Sequence, residues 1–349
     1  MAIALALLVL LVTPAAALAD ILLPDGFTAE IYVTGDGFDT ADGRAAHGLP
    51  SSSTLAVDHT GMLYLARTGR RYSGGEIDDL WPVFRFPPGG ARVTKKTAPG
   101  FLYGPPLPSA QVAGLRGDGE LLVTTFDRDR KVGVIYVMVN GHAELFAGGT
   151  PPARTIAPLL VQPEGAVADG AGNIYVADRA RDRVLKLDAR GAVVDASHVS
   201  VKRPRLLALG AGDTLWIAAD GTAEAPWQRG PGEIWRRVGN GPPTLVRHGP
   251  VAAGMGLAPT GHLFVADRQG AEIFALMPDG RSLPFARFTN GDAPRALAFA
   301  PVTPDTVRAG IAGSLFLVAI RRGAWPVNEV LRISGPFDRF LAESAAPAR

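Results

Sequence analysis

The sequence predicts an all-β fold: a six-bladed β-propeller of four-stranded antiparallel blades, its ring closed by an N-terminal strand. Three observations carry this. A unit of short apolar strand, glycine turn and second apolar strand recurs six times along the 349 residues. With Gly 42 and Pro 29 the chain is rich in turns, and 47% apolar residues supply an ample core. The last unit ends one strand short, and a spare strand lies near the other terminus.

The clearest unit runs from Pro163 to Asp178. Ala166–Asp169 is short and mostly apolar, Gly170–Asn173 has turn chemistry, and Ile174–Ala177 is β-branched and aromatic. A third strand at Arg183–Leu187, a turn at Asp188–Gly191 and a fourth strand at Ala192–Val194 complete this blade three. Blade one reads Leu55–Val57, Gly61 and Leu63–Ala66; blade two reads Ala113–Arg116, Gly117–Gly119 and Leu121–Thr124. Blade four reads Leu206–Leu209, Gly210–Asp213 and Leu215–Ala218; blade five reads Met255–Ala258, Pro259–Gly261 and Leu263–Ala266. Blade six has Ala296–Phe299 and Leu315–Val318, separated by a longer insertion at Pro301–Ala312. The turn residues Gly61, Gly119, Gly172, Asp213, Gly261 and Gly313 lie 41 to 58 residues apart, close to propeller periods.

Third strands follow at Val83–Phe86, Val134–Val137, Val184–Leu187, Glu233–Trp235, Glu272–Ala275 and Val330–Ile333. Phe27–Val33 alternates as a strand should, and pairing it beside Val330–Ile333 removes two open edges. The domain boundaries are then a leader over 1–19, the propeller over 20–336, and a C-terminal tail over 337–349 that is a weak helix or frayed.

Composition excludes several classes. With no cysteine there is no disulfide, thiolate metal site, Cys nucleophile or Cys lipid anchor. A net charge of +2 does not make a basic domain, so no nucleic-acid partner is implied. Residues 1–19 are apolar and end Ala17-Leu18-Ala19, a small-x-small cleavage pattern, although no Lys or Arg follows Met1. They read as a secretory signal peptide, with an uncleaved anchor as the other reading. Either takes the mature domain out of the cytoplasm, to the periplasm or beyond. Once the leader is cleaved, no membrane contact is expected and the protein is expected to be a monomer.

The long connections fall on the face that holds the starts of the first strands, so a site is expected there. Aligning the blades on their turns gives six channel-mouth positions: Ser53, Gln111, Glu164, Arg205, Ala253 and Arg295. Three charges in an apolar ring need partners. One reading pairs Glu164 with Arg205 or Arg295 and closes the channel structurally. The other sets the surplus arginine against a ligand carboxylate or phosphate, with Gln111 as a neutral donor. His47 and His248, in loops entering blades one and five, and Glu164 are the candidate general bases. The partner is accordingly a small-molecule or protein ligand at the channel face.

Other patterns are weaker. Arg67, Arg128, Arg179, Arg268 and Arg321 follow the second strands of five blades, accompanied by Asp127, Asp178 and Asp267. They read as salt bridges between blades or as an electropositive rim. His59, His142 and His262 sit near tight turns, and His198 precedes blade four. Asp36, Asp39 and Asp42 lack the spacing of a calcium loop. Trp227 and Trp235 could form a stacking wall near blade four, or pack at a blade edge.

The repeats resemble NHL-type propellers, most clearly at Pro163-Glu164-Gly165, Gly172–Asp178 and Arg183-Val184. That resemblance implies the fold and leaves function open among binders, hydrolases, lyases and oxidoreductases. The chain also looks similar to the gluconolactonase and SMP-30 group. That likeness implies a calcium-dependent lactonase or esterase, with Glu164 as the one matching metal ligand and no Asn at the other channel positions. Leu23–Phe27, Glu30–Tyr32, Gly313–Phe316 and Gly323–Trp325 resemble the sorbosone dehydrogenase group, which implies a pyrroloquinoline quinone cofactor. The His expected in its last motif is replaced by Arg321-Arg322.

Overall fold

A computed structural model of the chain describes residues 21–36, 38–39, 45–46, 49, 52, 54–66, 80–117, 119–127, 132–149, 157–223, 228–277, 279–322 and 328–345. Six antiparallel sheets form the blades of a β-propeller. Their first strands are Leu55–Val57, Gln111–Arg116, Pro163–Ala168, Pro204–Gly210, Ala252–Leu257 and Ala293–Phe299. Each touches the first strand of the next blade, and the last touches the first, so the ring is closed around an axis.

Each sheet buries both faces, and six clusters of apolar side chains fill the six seams between neighbouring blades. That is why second strands read as unbroken apolar runs: Leu63–Ala66, Ile174–Ala177 and Leu315–Ala319 are buried throughout. Outer strands are different. The fourth strand of blade three spans Val193–Ser200, well beyond the expected Ala192–Val194. It is mostly exposed, and Asp195, Ser197 and Ser200 interrupt the apolar pattern that would have revealed it.

The ring is closed as expected. Thr28–Gly35 runs antiparallel to Asn328–Ser334, with Ile31 opposite Leu331 and Val33 opposite Val330. Just upstream, Ile21–Leu22 adds a short strand to blade five. Phe27 sits edge-on to Phe285, Phe337 and Phe340 at centroid distances of 5.0, 4.9 and 5.8 Å. The C-terminal segment is a helix, Phe337–Ala345, whose Phe337 and Leu341 are buried in the seam between blades five and six. The insertion in blade six holds a short helix, Pro304–Arg308, with a reciprocal Thr303–Thr306 cap.

Close approach of the first strands depends on glycine at particular places. A Cβ on Gly165 would lie 2.8 Å from the Arg205 carbonyl oxygen and 3.1 Å from the Leu207 nitrogen. Gly114 and Gly254 meet the carbonyls of Ala166 and Arg295 in the same way, each on the next blade. Side chains add a second tie between blades. Thr54 Oγ1 donates to the Val112 carbonyl, Thr124 Oγ1 to that of Glu164 at 2.9 Å, and Arg205 Nη2 to that of Ala252.

Candidate functional site at the channel mouth

The site is built by an irregularity that the first strands share. In blades three to six, each first strand slips register against its second strand. The slips fall between Pro163 and Ala166, Pro204 and Leu206, Ala252 and Gly254, and Pro294 and Leu297. Three of these begin at a proline, which has no N–H to give to the ladder. A bulge leaves residues unpaired and re-aims their side chains. The re-aimed residues include Glu164, Arg205, Ala253 and Arg295, four of the positions that turn alignment selects. In blade two the slip comes later, at Ala113, so Gln111 stays in the ladder opposite Thr124.

Arg205 has an acidic partner that the turn alignment does not select. Arg205, 1% exposed, gives Nε to Asp220 Oδ1 at 2.8 Å, and Asp220 Oδ2 takes Arg179 Nε at 3.1 Å. One buried carboxylate thus bridges two guanidiniums across blades three and four. The partner of Arg205 in this bridge is Asp220, not Glu164, because the end of its own second strand delivers an acid to it. Sequence reading missed Asp220, although a signal was present. Arg follows the second strand in five blades, and Asp220 holds that place in the remaining one.

Glu164, also 1% exposed, accepts from Gln162 Nε2 at 3.0 Å. Gln111 is equally buried. Among the described residues two deeply buried donors at this ring, Gln111 Nε2 and Arg205 Nη1, make no hydrogen bond. Ala253 is buried and Arg295 half-buried. Ser53 and His47 lie outside the described residues. His248 is not in a loop: it sits exposed within Thr244–Gly249, the outermost strand of blade four. The fourth strand is the outermost of the blade, so His248 lies at the blade's outer edge.

Two of the five rim arginines, Arg179 and Arg321, form structural pairs. Arg179 crosses to blade four as described. Arg321 holds Glu329 at 2.8 Å and Asp292 at 3.4 Å, while Glu329 also accepts from Thr34 on the closing strand at 3.1 Å. Asp178 accepts the backbone N–H groups of Val161 and Gln162, and Asp267 those of Gln269 and Gly270, so both fix loops. Arg268 is half-buried, and burial lowers its pKa. Arg67, Arg128 and the Asp127 side chain lie outside the described residues.

The remaining candidates are peripheral. Asp36 pairs with Arg92 at 2.6 Å, while the side chains of Asp39 and Asp42 lie outside the described residues. Trp235 donates to Glu233 at 2.8 Å and packs in the seam between blades three and four; Trp227 lies outside the described residues. His198 belongs to the outer strand of blade three, 3.3 Å from Asp195. Burial, then the nearby Arg237, holds its imidazole below the ordinary pKa.

The described residues of the mouth do not form a calcium ligand set. Among the described residues no three acidic or histidine side chains gather around a common point. Besides Glu164, the described mouth residues are Gln111, Arg205, Ala253 and Arg295, none of them acidic. Beside the motif that resembles the sorbosone dehydrogenase group, Arg321 is turned to Glu329 and Asp292, and Gly323–Trp325 lie outside the described residues.

Beyond the mouth, toward the turns, the channel holds an open cavity of about 330 Å³. Its lining runs along the first strands, from Thr54, Gly165 and Leu206 to Val57, Ala208 and Phe299. Gln111, Glu164, Arg205 and Arg295 are not part of that wall.

No protein-family description matches the chain, and no curated protein resembles it closely enough to register. Solved structures do share its shape. A gluconolactonase from Xanthomonas campestris superposes with a TM-score of 0.58 at 13% identity, covering 83% of this chain and 88% of that one. Virginiamycin B lyase from Staphylococcus aureus gives 0.51 at 14% identity, covering 88% and 99%. An oxidoreductase of the glucose dehydrogenase kind from Thermus thermophilus gives 0.52 at 15%, covering 88% and 100%. At these identities the likeness establishes the six-bladed fold.

Proposed function

We propose that the chain is an exported propeller that holds a small organic acid at the channel mouth. The observation that carries this reading is Arg205: its Nε and Nη2 are engaged and its Nη1 is a buried, unbonded donor. A buried donor left unmade costs about 1–3 kcal/mol, so its persistence asks for an acceptor. Gln111 Nε2, two blades away on the same ring, asks for the same thing. The Arg205 Nη1 donor carries positive charge, which favours an anion as that acceptor.

Calorimetry with a panel of small carboxylates and sugar acids tests the reading. Arg205→Met should weaken binding about tenfold or more, the value of one charge-assisted hydrogen bond. Glu164→Gln should tighten it, because a competing carboxylate is removed. Binding unchanged in both variants, or absent from the wild type, would leave these charges as ring closure alone. Export is part of the proposal and is checked separately, by N-terminal sequencing of the exported protein, which should begin at Asp20.

A second reading is an enzyme acting on a sugar lactone or sugar. It is favoured by the names of two structural neighbours, a gluconolactonase and a glucose dehydrogenase. Glu164 is the candidate base there. Turnover of gluconolactone or glucose that vanishes in Glu164→Gln would support it.

A further inference from the structure

The channel behind the mouth carries a statement about what kind of acid fits. Its wall begins one or two residues beyond the mouth on the same strands: Leu206 follows Arg205, and Ala113 comes two after Gln111. At about 3.3 Å per residue, mouth and cavity are within roughly 7 Å along the strand. At about 330 Å³ the cavity stands at the small end of ligand sites, which span about 300–1,000 Å³.

Every side chain in the wall is hydrocarbon or glycine except those of Thr54 and the thioether Met255. The Thr54 hydroxyl already donates to the Val112 carbonyl. Half-buried Leu115, Val167, Leu207, Leu257 and Ala298 line it from five different blades. Main-chain groups supply the polar part of the wall. A polyhydroxylated ligand would have only main-chain groups to meet its hydroxyls, and each hydroxyl left unpaired costs affinity. A hydrocarbon body needs none.

We infer that the acid is amphipathic: a carboxylate at Arg205 and Gln111, with an unbranched or lightly branched hydrocarbon body in the channel. This rests on the mouth as an acid site and adds the class of acid. It separates this chain from the sugar chemistry named for two of its structural neighbours.

The test is calorimetry on the full-length mature protein with acetate, butyrate, hexanoate, octanoate and gluconate. Affinity should rise about fourfold per added methylene, the transfer value of one buried CH₂, until the cavity is full. Gluconate should bind no better than acetate. Leu207→Ala enlarges the wall and should move the optimum to a longer chain, while Ala298→Leu should move it to a shorter one. Acetate affinity should hold in both, which also shows that the variants are folded. Affinity independent of chain length, or gluconate ahead of hexanoate, overturns the apolar body and leaves the acid site standing. Failure of every acid to bind removes the acid site itself.

Discussion

The two ends of the same six first strands obey different rules. At the mouth, Glu164, Arg205 and Arg295 replace one another blade by blade, and Asp220 breaks the arginine pattern of the rim. Toward the turns the same strands are nearly uniform: Val57, Leu115, Val167, Leu257 and Phe299. The mouth residues sit in bulges, released from the ladder, so nothing in the repeat dictates their identity. The turn-end residues sit in regular pairing, each packed against one seam and lining the channel, where apolar side chains fit. Individuality therefore collects where the backbone is irregular, and charge decides at one end while space decides at the other.

Asp220→Asn should break the mouth end most severely. It leaves Arg179 and Arg205 buried without their shared carboxylate, and breaking such a group by removing one partner costs about 3–5 kcal/mol. Urea unfolding should show that loss as a lower midpoint. A loss under about 1 kcal/mol would mean that the bridge contributes little.

Gly165→Ala should come next, at about 1–3 kcal/mol, because its Cβ would lie 2.8 Å from a neighbouring carbonyl oxygen. The same unfolding experiment measures it. A neutral result would mean that blades three and four can part without cost, against the close packing inferred for the ring.

The mildest change should be Ala298→Leu in the channel wall. The open volume beside it should keep the cost below about 1 kcal/mol, under what overpacking costs in a filled core. A loss as large as that of Asp220→Asn would erase the contrast between the two ends.

The fold was legible because its signals are local and repeated. Gly172 and its counterparts mark turns, Ile174–Ala177 reads as a fully buried strand, and Phe27–Val33 had only one edge left to close. Val193–Ser200 was not legible to its full length, since an exposed outer strand needs no apolar pattern. The mouth was half legible. Turn alignment located Glu164, Arg205 and Arg295, but their partners depend on which loop delivers a side chain to the ring. Asp220 reaches Arg205 across 15 positions and Arg179 across 41, separations on which no short pattern reports. His248 was misplaced for a related reason: the strand that holds it is half exposed and polar, like a loop.

The contrast between the ends can be tested in one crossed titration: acetate and hexanoate against wild type, Arg205→Met and Leu207→Ala. The account predicts that Arg205→Met weakens both acids by the same factor, about tenfold or more, because the carboxylate alone meets that residue. It predicts that Leu207→Ala leaves acetate unchanged and weakens hexanoate by about fourfold or more for the wall contacts removed. Equal effects of both variants on both acids, or none from either, would contradict it.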